Sequence, residues 1–563
     1  MSVIRHIEVQ NFRTIKKLSW HPKPGLNCLI GPGDSGKSTL LDAIDLTLGA
    51  RRSYSFNDAD FYQLNIQSPL SITITLGDLH DDLKNIESYG LFLRGYNATT
   101  QEILDEPQQG TETVLTIKLT VDCDLDPDWR LYSERAEADG LERRLPWKHR
   151  ELLSPARLGT TAHQNLAWGS RSILNKLSEE TLDVSSTLAQ LGRQTREAFA
   201  QQQVEGVAGV LQQVQNISNG LGVPVGKLKA LLDVNGISLS NGAISLHNSD
   251  NTPLRQLGTG SSRLLISGLQ KAASHSKVII VDEAEYGLEP YRITRLLNEL
   301  GSKDVEPTQQ VFITTHSPYV LRELQAQQLH VMRRPGPEHI QHTIYSLDGE
   351  GLQQATLRAC AESFFSKSVI VCEGKTEIGI VRGIDLHFDQ TITSKGVHCA
   401  DGGGDAMFAR AKIFSSLGYP TAIFKDSDKA EQHREHRENA IAAGISVFEW
   451  DHNRATEDVI FTACPATVIP ELLNMAVERK GADSINAHIQ AYSNQAVTLE
   501  NCLERFTDDQ RVILAKAANK KSWFKDIEPA ENVGRYIIGP NYGSFTEDLT
   551  TPVHNLFSWA LNL

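Results

Sequence analysis

Residues 31–38 read Gly-Pro-Gly-Asp-Ser-Gly-Lys-Ser. They lie between the apolar run LNCLI (26–30) and the segment STLLDAIDLTLG, whose apolar residues recur at helical spacing and stop at Gly49. No other stretch constrains the fold as strongly. A glycine-rich turn that leaves a buried strand and opens a helix converges its backbone N–H groups on one point, and the helix start adds partial positive charge there. The spacing Gly31-x4-Gly36-Lys37-Ser38 brings Lys37 to the β and γ phosphates of a nucleotide. It also sets the Ser38 hydroxyl on Mg²⁺, with Gly33 in the loop and Thr39 in the same helical turn. The expectation is an α/β core built around a P-loop that binds ATP.

Three later segments fit that core. VIIVDE (278–283) reads as a buried strand ending in two acids, with Asp282 placed to hold Mg²⁺ through water and Glu283 to polarise an attacking water. FITTHSP (312–318) is a second such strand, ending at His316, a candidate sensor of the γ-phosphate. Just upstream of the acidic strand, Leu257-Gly258-Thr259-Gly260-Ser261 suits a helix start that meets phosphate. Each has a plainer meaning when read singly: a surface carboxylate, a structural histidine, a loop.

A second constellation follows at residues 371–377, Val-Cys-Glu-Gly-Lys-Thr-Glu. Glu373 ends the apolar run SVIVC, and a helix starting at the turn would bring Glu377 close to it. Asp426 and Asp428 follow the run TAIFK and, on an extended segment, would point the same way. Glu457 follows ISVFEW. Carboxylates at several strand ends of a parallel sheet converge on one crevice and repel one another without a cation. An all-oxygen set suits Mg²⁺ or Mn²⁺, and two such ions can activate water and stabilise the leaving oxygen of a phosphodiester. The plain reading of any single pair is N-caps and surface acids.

The chain has 563 residues, too many for one ordinary core. An ATP-binding α/β domain is expected over 1–350, with a helical insertion at about 155–230. A second, mostly parallel α/β domain with a C-terminal helical extension is expected over 351–563, the junction falling near 346–365. Asn241-Gly242 reads as a hairpin turn and Pro335-Gly336-Pro337 as a turn between late strands. The net charge of −14 counts against nucleic acid as a partner unless a local basic surface exists. Candidates are Arg51-Arg52, Arg143-Arg144 with Lys148-His149-Arg150, and Lys520-Lys521. Seven scattered cysteines with no CxxC pair argue against structural zinc and disulfides and fit a reducing cytosol. No apolar run reaches membrane-spanning length and the N-terminus lacks a signal-like apolar region, so a cytoplasmic protein with no membrane partner is expected.

The order P-loop, small-residue helix start, acidic strand, histidine strand resembles the ABC-type ATPase heads of the RecF and SMC kind, and DEAEYGLEP (282–290) is similar to their EEPExxLHP pattern. That resemblance implies Arg13 near the nucleotide. It also implies a dimer in which Gly258, Gly260 and Ser261 of one protomer cap ATP bound to the other. Two departures stand out: Gly33 where Asn is usual, and Gly258 in place of the capping serine. CEGKTE…GGGD…KDSD resembles the Toprim domain. A head followed by a Toprim domain resembles the OLD (overcoming-lysogenization-defect) endonucleases over nearly the whole chain, except at about 120–240. The family resemblance implies an ATP-controlled, Mg²⁺-dependent DNA nuclease, often in anti-phage defence, dimerised or further assembled through heads and arm. It also implies a late phosphate-assisting lysine, for which Lys521 is the first choice and Lys525 the second. Some members act alone and others beside a helicase or a retron, and no feature of the sequence chooses among these. Two other readings stay open: a RecF-like repair or scaffolding ATPase with an inert Toprim fold, and topoisomerase or primase chemistry. The latter lacks a DNA-gripping domain with a tyrosine nucleophile, or a zinc module.

Overall fold

The computed structural model describes residues 2–158 (except 52), 246–334 (except 252, 274 and 275), 340–562 (except 350) and a few isolated positions between 190 and 212. Beyond residue 158 the expected helical arm lies outside the described residues apart from those positions, as do the Asn241-Gly242 hairpin and the Pro335–Pro337 turn.

Strand Leu26–Ile30 is buried at every position, as a strand covered on both faces must be. It sits inside a sheet of six described strands, in the order Thr343–Ser346, Leu329–Arg333, Leu26–Ile30, Gln310–Thr314, Val278–Val281, Ala156–Leu158. All neighbours are parallel except the outermost pair, Thr343–Ser346 with Leu329–Arg333. Parallel pairing delivers the ends of three strands to one edge, so the P-loop after Ile30, Asp282 after Val281 and His316 after Thr314 emerge side by side.

A second, antiparallel sheet contains strands Val3–Phe12, Leu70–Gly77 and Glu112–Val121 as neighbours. Along strand Leu70–Gly77, Ile72 and Ile74 are buried while Ser71 and Thr73 are only partly so, but the alternation stops there and Thr75, Leu76 and Gly77 are all buried. Helix Lys37–Leu48 fills the space between the two sheets, packing Leu40, Leu41 and Ile44 among Ile72, Ile74, Ile280 and Phe312. Strand Pro127–Tyr132 pairs with Glu112–Val121, and strand Ala156–Leu158 pairs with Val278–Val281. Both strands therefore join the head sheets, and the chain through Leu158 belongs to the head.

The third sheet is four-stranded and wholly parallel, in the order Val397–Asp401, Ser368–Cys372, Thr421–Lys425, Ser446–Glu449. Helices from Thr456–Ala463 through Glu547–Leu561 pack against one side of it and share its core, with Trp450, Phe461 and Trp523 fully buried. At the junction, helix Gly351–Ala359 and the turn Ala361–Phe365 lie between the units. One continuous apolar cluster contains Ile313, Val320 and Leu321 of the head, Leu357 and Phe364 of the junction, and Val371, Phe414 and Ile423 of the C-terminal sheet. The Arg333 guanidinium lies 4.5 Å from the Tyr419 ring centroid and donates to the Lys367 carbonyl at 2.8 Å. Among the described residues, no helix is long and apolar enough to cross a membrane.

Candidate functional site

At the head edge, Gly31 has φ 133° and its missing Cβ would fall 2.5 Å from the Met332 carbonyl, so only glycine fits there. Gly36 caps the helix in the left-handed region. Lys37 folds back into the loop and is buried, donating to the carbonyls of Gly31 (3.1 Å) and Pro32 (2.8 Å) and to Ser35 Oγ (3.2 Å). Burial pushes its ammonium down to about 8, against the pull of Asp34 and Asp282. The Ser38 hydroxyl donates to Asp282 at 3.2 Å, so the two oxygen groups expected at one Mg²⁺ already touch. Nothing crowds Gly33.

Thr314, which the sequence reading passed over, fixes both acids of the neighbouring strand. Its hydroxyl donates to Asp282 and accepts the Glu283 N–H at 2.9 Å. Glu283 is exposed and sits at φ 49°, a conformation costly for a residue with a Cβ. Arg263 holds the turn from below through the Asp282 (2.7 Å) and Tyr286 (2.9 Å) carbonyls. The backbone N–H of His316 donates to Glu285 at 2.7 Å, leaving its ring exposed and 6.3 Å from that of Phe365. Arg13 pairs with Asp42 and, at 2.9 Å, with Asp60. Arg157, also unread in the sequence, pairs with Asp42 at 2.6 Å and approaches Asp282 to 4.0 Å. Gly258 is open to solvent, whereas Gly260 abuts the Gly287 carbonyl and Ser261 accepts from Arg292 at 3.0 Å. The proposed capping segment thus opens helix Thr259–Ala273 and rests on Gly287, Leu288 and Arg292, at the start of helix Pro290–Glu299 of its own chain.

The second group of acids gathers at the edge of the four-stranded sheet. The Glu373 backbone bridges two neighbours, donating to the Phe424 carbonyl and accepting from Gly404 N–H, both at 2.9 Å. Its carboxylate accepts the Asp426 N–H at 3.1 Å. Gly402 lies so close to the Cys372 carbonyl that a Cβ would come within 2.3 Å, and this is what the glycine run provides. Glu377, in the first turn of helix Lys375–His387, accepts the Gly374 N–H at 2.9 Å. The Thr456 hydroxyl meets Glu377 at 2.7 Å and also contacts Asp426, while Trp450 Nε1 donates to it at 2.8 Å. One hydroxyl has one proton to give, so Thr456 can donate to only one of the two carboxylates at a time. Burial, with the charges of Glu373 and Glu457, holds Glu377 above its ordinary pKa, against the Thr456 hydrogen bond, which lowers it. Asp426 is raised well above its own by burial and by Glu377. Burial likewise raises Glu457, whose Oε1 is buried without a hydrogen-bond partner.

Asp428 departs from expectation. The strand stops at Lys425 and the chain turns, so Asp428 is exposed and not aligned with Asp426 on an extended segment. Its charge nevertheless still raises Glu457. Of the two late lysines, Lys525 acts on Glu457, whereas the charge of Lys521 acts on His488. Oxygen-only donors, buried like charge and an orphaned Glu457 oxygen fit a hard divalent cation. As the side chains stand, no three His, Cys, Asp or Glu among the described residues form a ligating group, so binding requires carboxylate rotation.

The fold and both edges define an ATPase joined to a Toprim domain. A family model described as "AAA domain, putative AbiEii toxin, Type IV TA system" matches residues 26–322, and one described as "Overcoming lysogenization defect protein-like, TOPRIM domain" matches residues 364–428. The chain belongs to the first of these families and, with the Toprim match behind it, has the ATPase–Toprim architecture of the overcoming-lysogenization-defect family.

Two curated relatives are DNA replication and repair proteins RecF. That of Nitrosococcus oceani is 44% identical over 54 residues, 10% of this chain and 15% of the relative. That of Moorella thermoacetica is 42% identical over 48 residues, 8% and 13%. The chain thus spans well under a fifth of the length of these relatives. Among solved structures, the Smc head of Pyrococcus furiosus bound to the C-terminal domain of ScpA aligns at 12% identity and TM-score 0.34, covering 62% of this chain and 96% of that one. The SMC head of Thermotoga maritima aligns at 14% and 0.27, covering 61% and 99%.

Proposed function

We propose that the protein is an ATP-controlled, divalent-metal-dependent DNA endonuclease. The observation that carries this reading is the convergence of Glu373, Glu377, Asp426 and Glu457 at one sheet edge, with Thr456 joining Glu377 to Asp426. With Asp428, these acids would hold Mg²⁺ or Mn²⁺, which supplies water activation and charge neutralisation at a phosphodiester. Lys525 is the better placed lysine to steady the scissile phosphate, with Lys521 behind it. In the head, Lys37 and the loop N–H groups grip the triphosphate, Ser38 and Asp282 face its Mg²⁺, and Glu283 holds the attacking water. His316, Arg13 and the Gly258–Ser261 segment complete ATP-dependent head pairing in a homodimer or larger assembly. The names of the RecF relatives point to DNA as the partner, and the family architecture points to anti-phage defence in the cytoplasm.

The test is plasmid cleavage by wild type and Asp426→Ala, with Mg²⁺ or Mn²⁺, each with no nucleotide, ATP or a non-hydrolysable analogue. Cleavage by wild type alone is expected, and its nucleotide dependence gives the sign of control. One observation favours a second reading, a scaffolding ATPase with an inert Toprim fold: no three acids stand in ligating geometry. Intact DNA in every nucleotide state, with ATP hydrolysis preserved, would mean a missing partner or trigger, or that scaffold.

A further inference from the structure

The Lys520-Lys521 pair, one small basic cluster in a chain of net charge −14, belongs in the fold to a larger ridge. Helix Ile469–Lys480 ends in Arg479 and Lys480, and helix Gln510–Lys520 ends in Lys520 with Lys521 as its cap. The loop that follows ties the two ends together. Arg479 donates to the Trp523 carbonyl at 3.1 Å and to Asp526 at 2.9 Å, and Lys375 approaches Asp526 to 3.6 Å from the other side. Between the helix ends, His488 accepts from Trp523 Nε1 at 3.2 Å, and after burial the charges of Lys521 and Lys480 lower its pKa. The ridge runs directly onto the carboxylate site, because Lys375 lies between Glu373 and Glu377 and Lys525 acts on Glu457.

We propose that this ridge seats the phosphate backbone of duplex DNA beside the carboxylate edge. The inference rests on the nuclease reading and names the form of its substrate. A strongly acidic chain repels a polyanion at long range, so it needs a local run of cations at which condensed counterions are released. Trp523 is fully buried and the His488 ring stacks on it with centroids 6.5 Å apart, so the ridge presents no projecting aromatic platform for unpaired bases, which favours a duplex over a single strand. Lysines at two helix C-termini also suit the helix dipoles. That alternative predicts lost stability, not lost binding.

The experiment is fluorescence anisotropy of labelled duplex DNA with the full chain in EDTA, where cleavage cannot intervene, across a salt series. The double variant Lys480→Ala/Lys520→Ala, checked for an unchanged melting temperature, is expected to lose roughly tenfold in affinity per lysine at 0.1 M salt. Its log–log salt slope is expected to fall by about 2. Lys148→Ala, on the head, serves as the control and should match wild type. Unchanged affinity and slope in the folded double variant, absence of duplex binding by wild type, or tighter wild-type binding of single strands would each overturn the proposal. Duplex binding that depends on the ridge, alongside DNA left uncut in every nucleotide state, would leave the ridge standing and remove the nuclease.

Discussion

The two functional edges apply the same physical lever with opposite sign. At the head, burial presses a single cation, Lys37, towards its neutral form among neutral acceptors. At the Toprim edge, burial presses three acids, Glu377, Asp426 and Glu457, towards theirs. Each edge therefore holds strained charge that a ligand of opposite sign relieves: a triphosphate in the first case and a divalent cation in the second. The difference teaches where specificity comes from. The head site is shaped mainly by backbone, through Gly31, Gly36 and the loop N–H groups. The Toprim site is shaped by side chains hung on one shared hydroxyl, and closing it needs rotation.

The largest effect that would break this comparison comes from crossing the sites. Lys37→Ala should abolish ATP binding by isothermal calorimetry, and Asp426→Ala should bring cleavage to background with ATP hydrolysis retained. Loss of ATP hydrolysis in Asp426→Ala would mean that the edges are not separate sites. Next, Glu283→Gln should bind ATP but hydrolyse it about 10²- to 10³-fold more slowly and trap paired heads, as read by phosphate release and sedimentation. Normal hydrolysis would remove Glu283 as the base.

Thr456→Val should weaken the metal response by roughly 10- to 100-fold, with Thr456→Ser close to wild type, as measured by titrating Mn²⁺ against cleavage rate. A valine variant with an unchanged metal response would show that the shared hydroxyl does not organise the acids. The smallest effect is one of pH. Phosphate binding raises the Lys37 pKa from its free-state value of about 8. Affinity for ATP is then full below pH 8, where the free lysine already carries its proton. It should fall by up to about tenfold per unit above that pH until the bound-state pKa is reached. An affinity flat from pH 7 to 10 would contradict the buried-cation account.

Sequence reading reached furthest where chemistry is local. Gly31, Gly36 and Lys37 sit in one turn, and Asp282 directly follows its apolar strand, so spacing alone placed them. It fell short where the fold imports partners from afar. Thr314 serves Asp282 across 32 residues and Thr456 joins Glu377 across 79. A hydroxyl on a strand or helix start carries no signal of that kind. Asp428 was misjudged because the extended period was carried past Lys425, where the chain turns. Arg157 was absorbed into the expected arm, although its strand closes the head sheet.

The apolar cluster that runs from Ile313 through Phe364 to Ile423 has a practical meaning for anyone dissecting the molecule. The nuclease half cannot be lifted out as a bead from a string. Truncation near residue 365 would strip a wet, greasy scar across Val371, Phe414 and Ile423, and the fragment would clump before it could be assayed. A half exchanged for that of a distant relative would have to match the other's apolar surface along this seam.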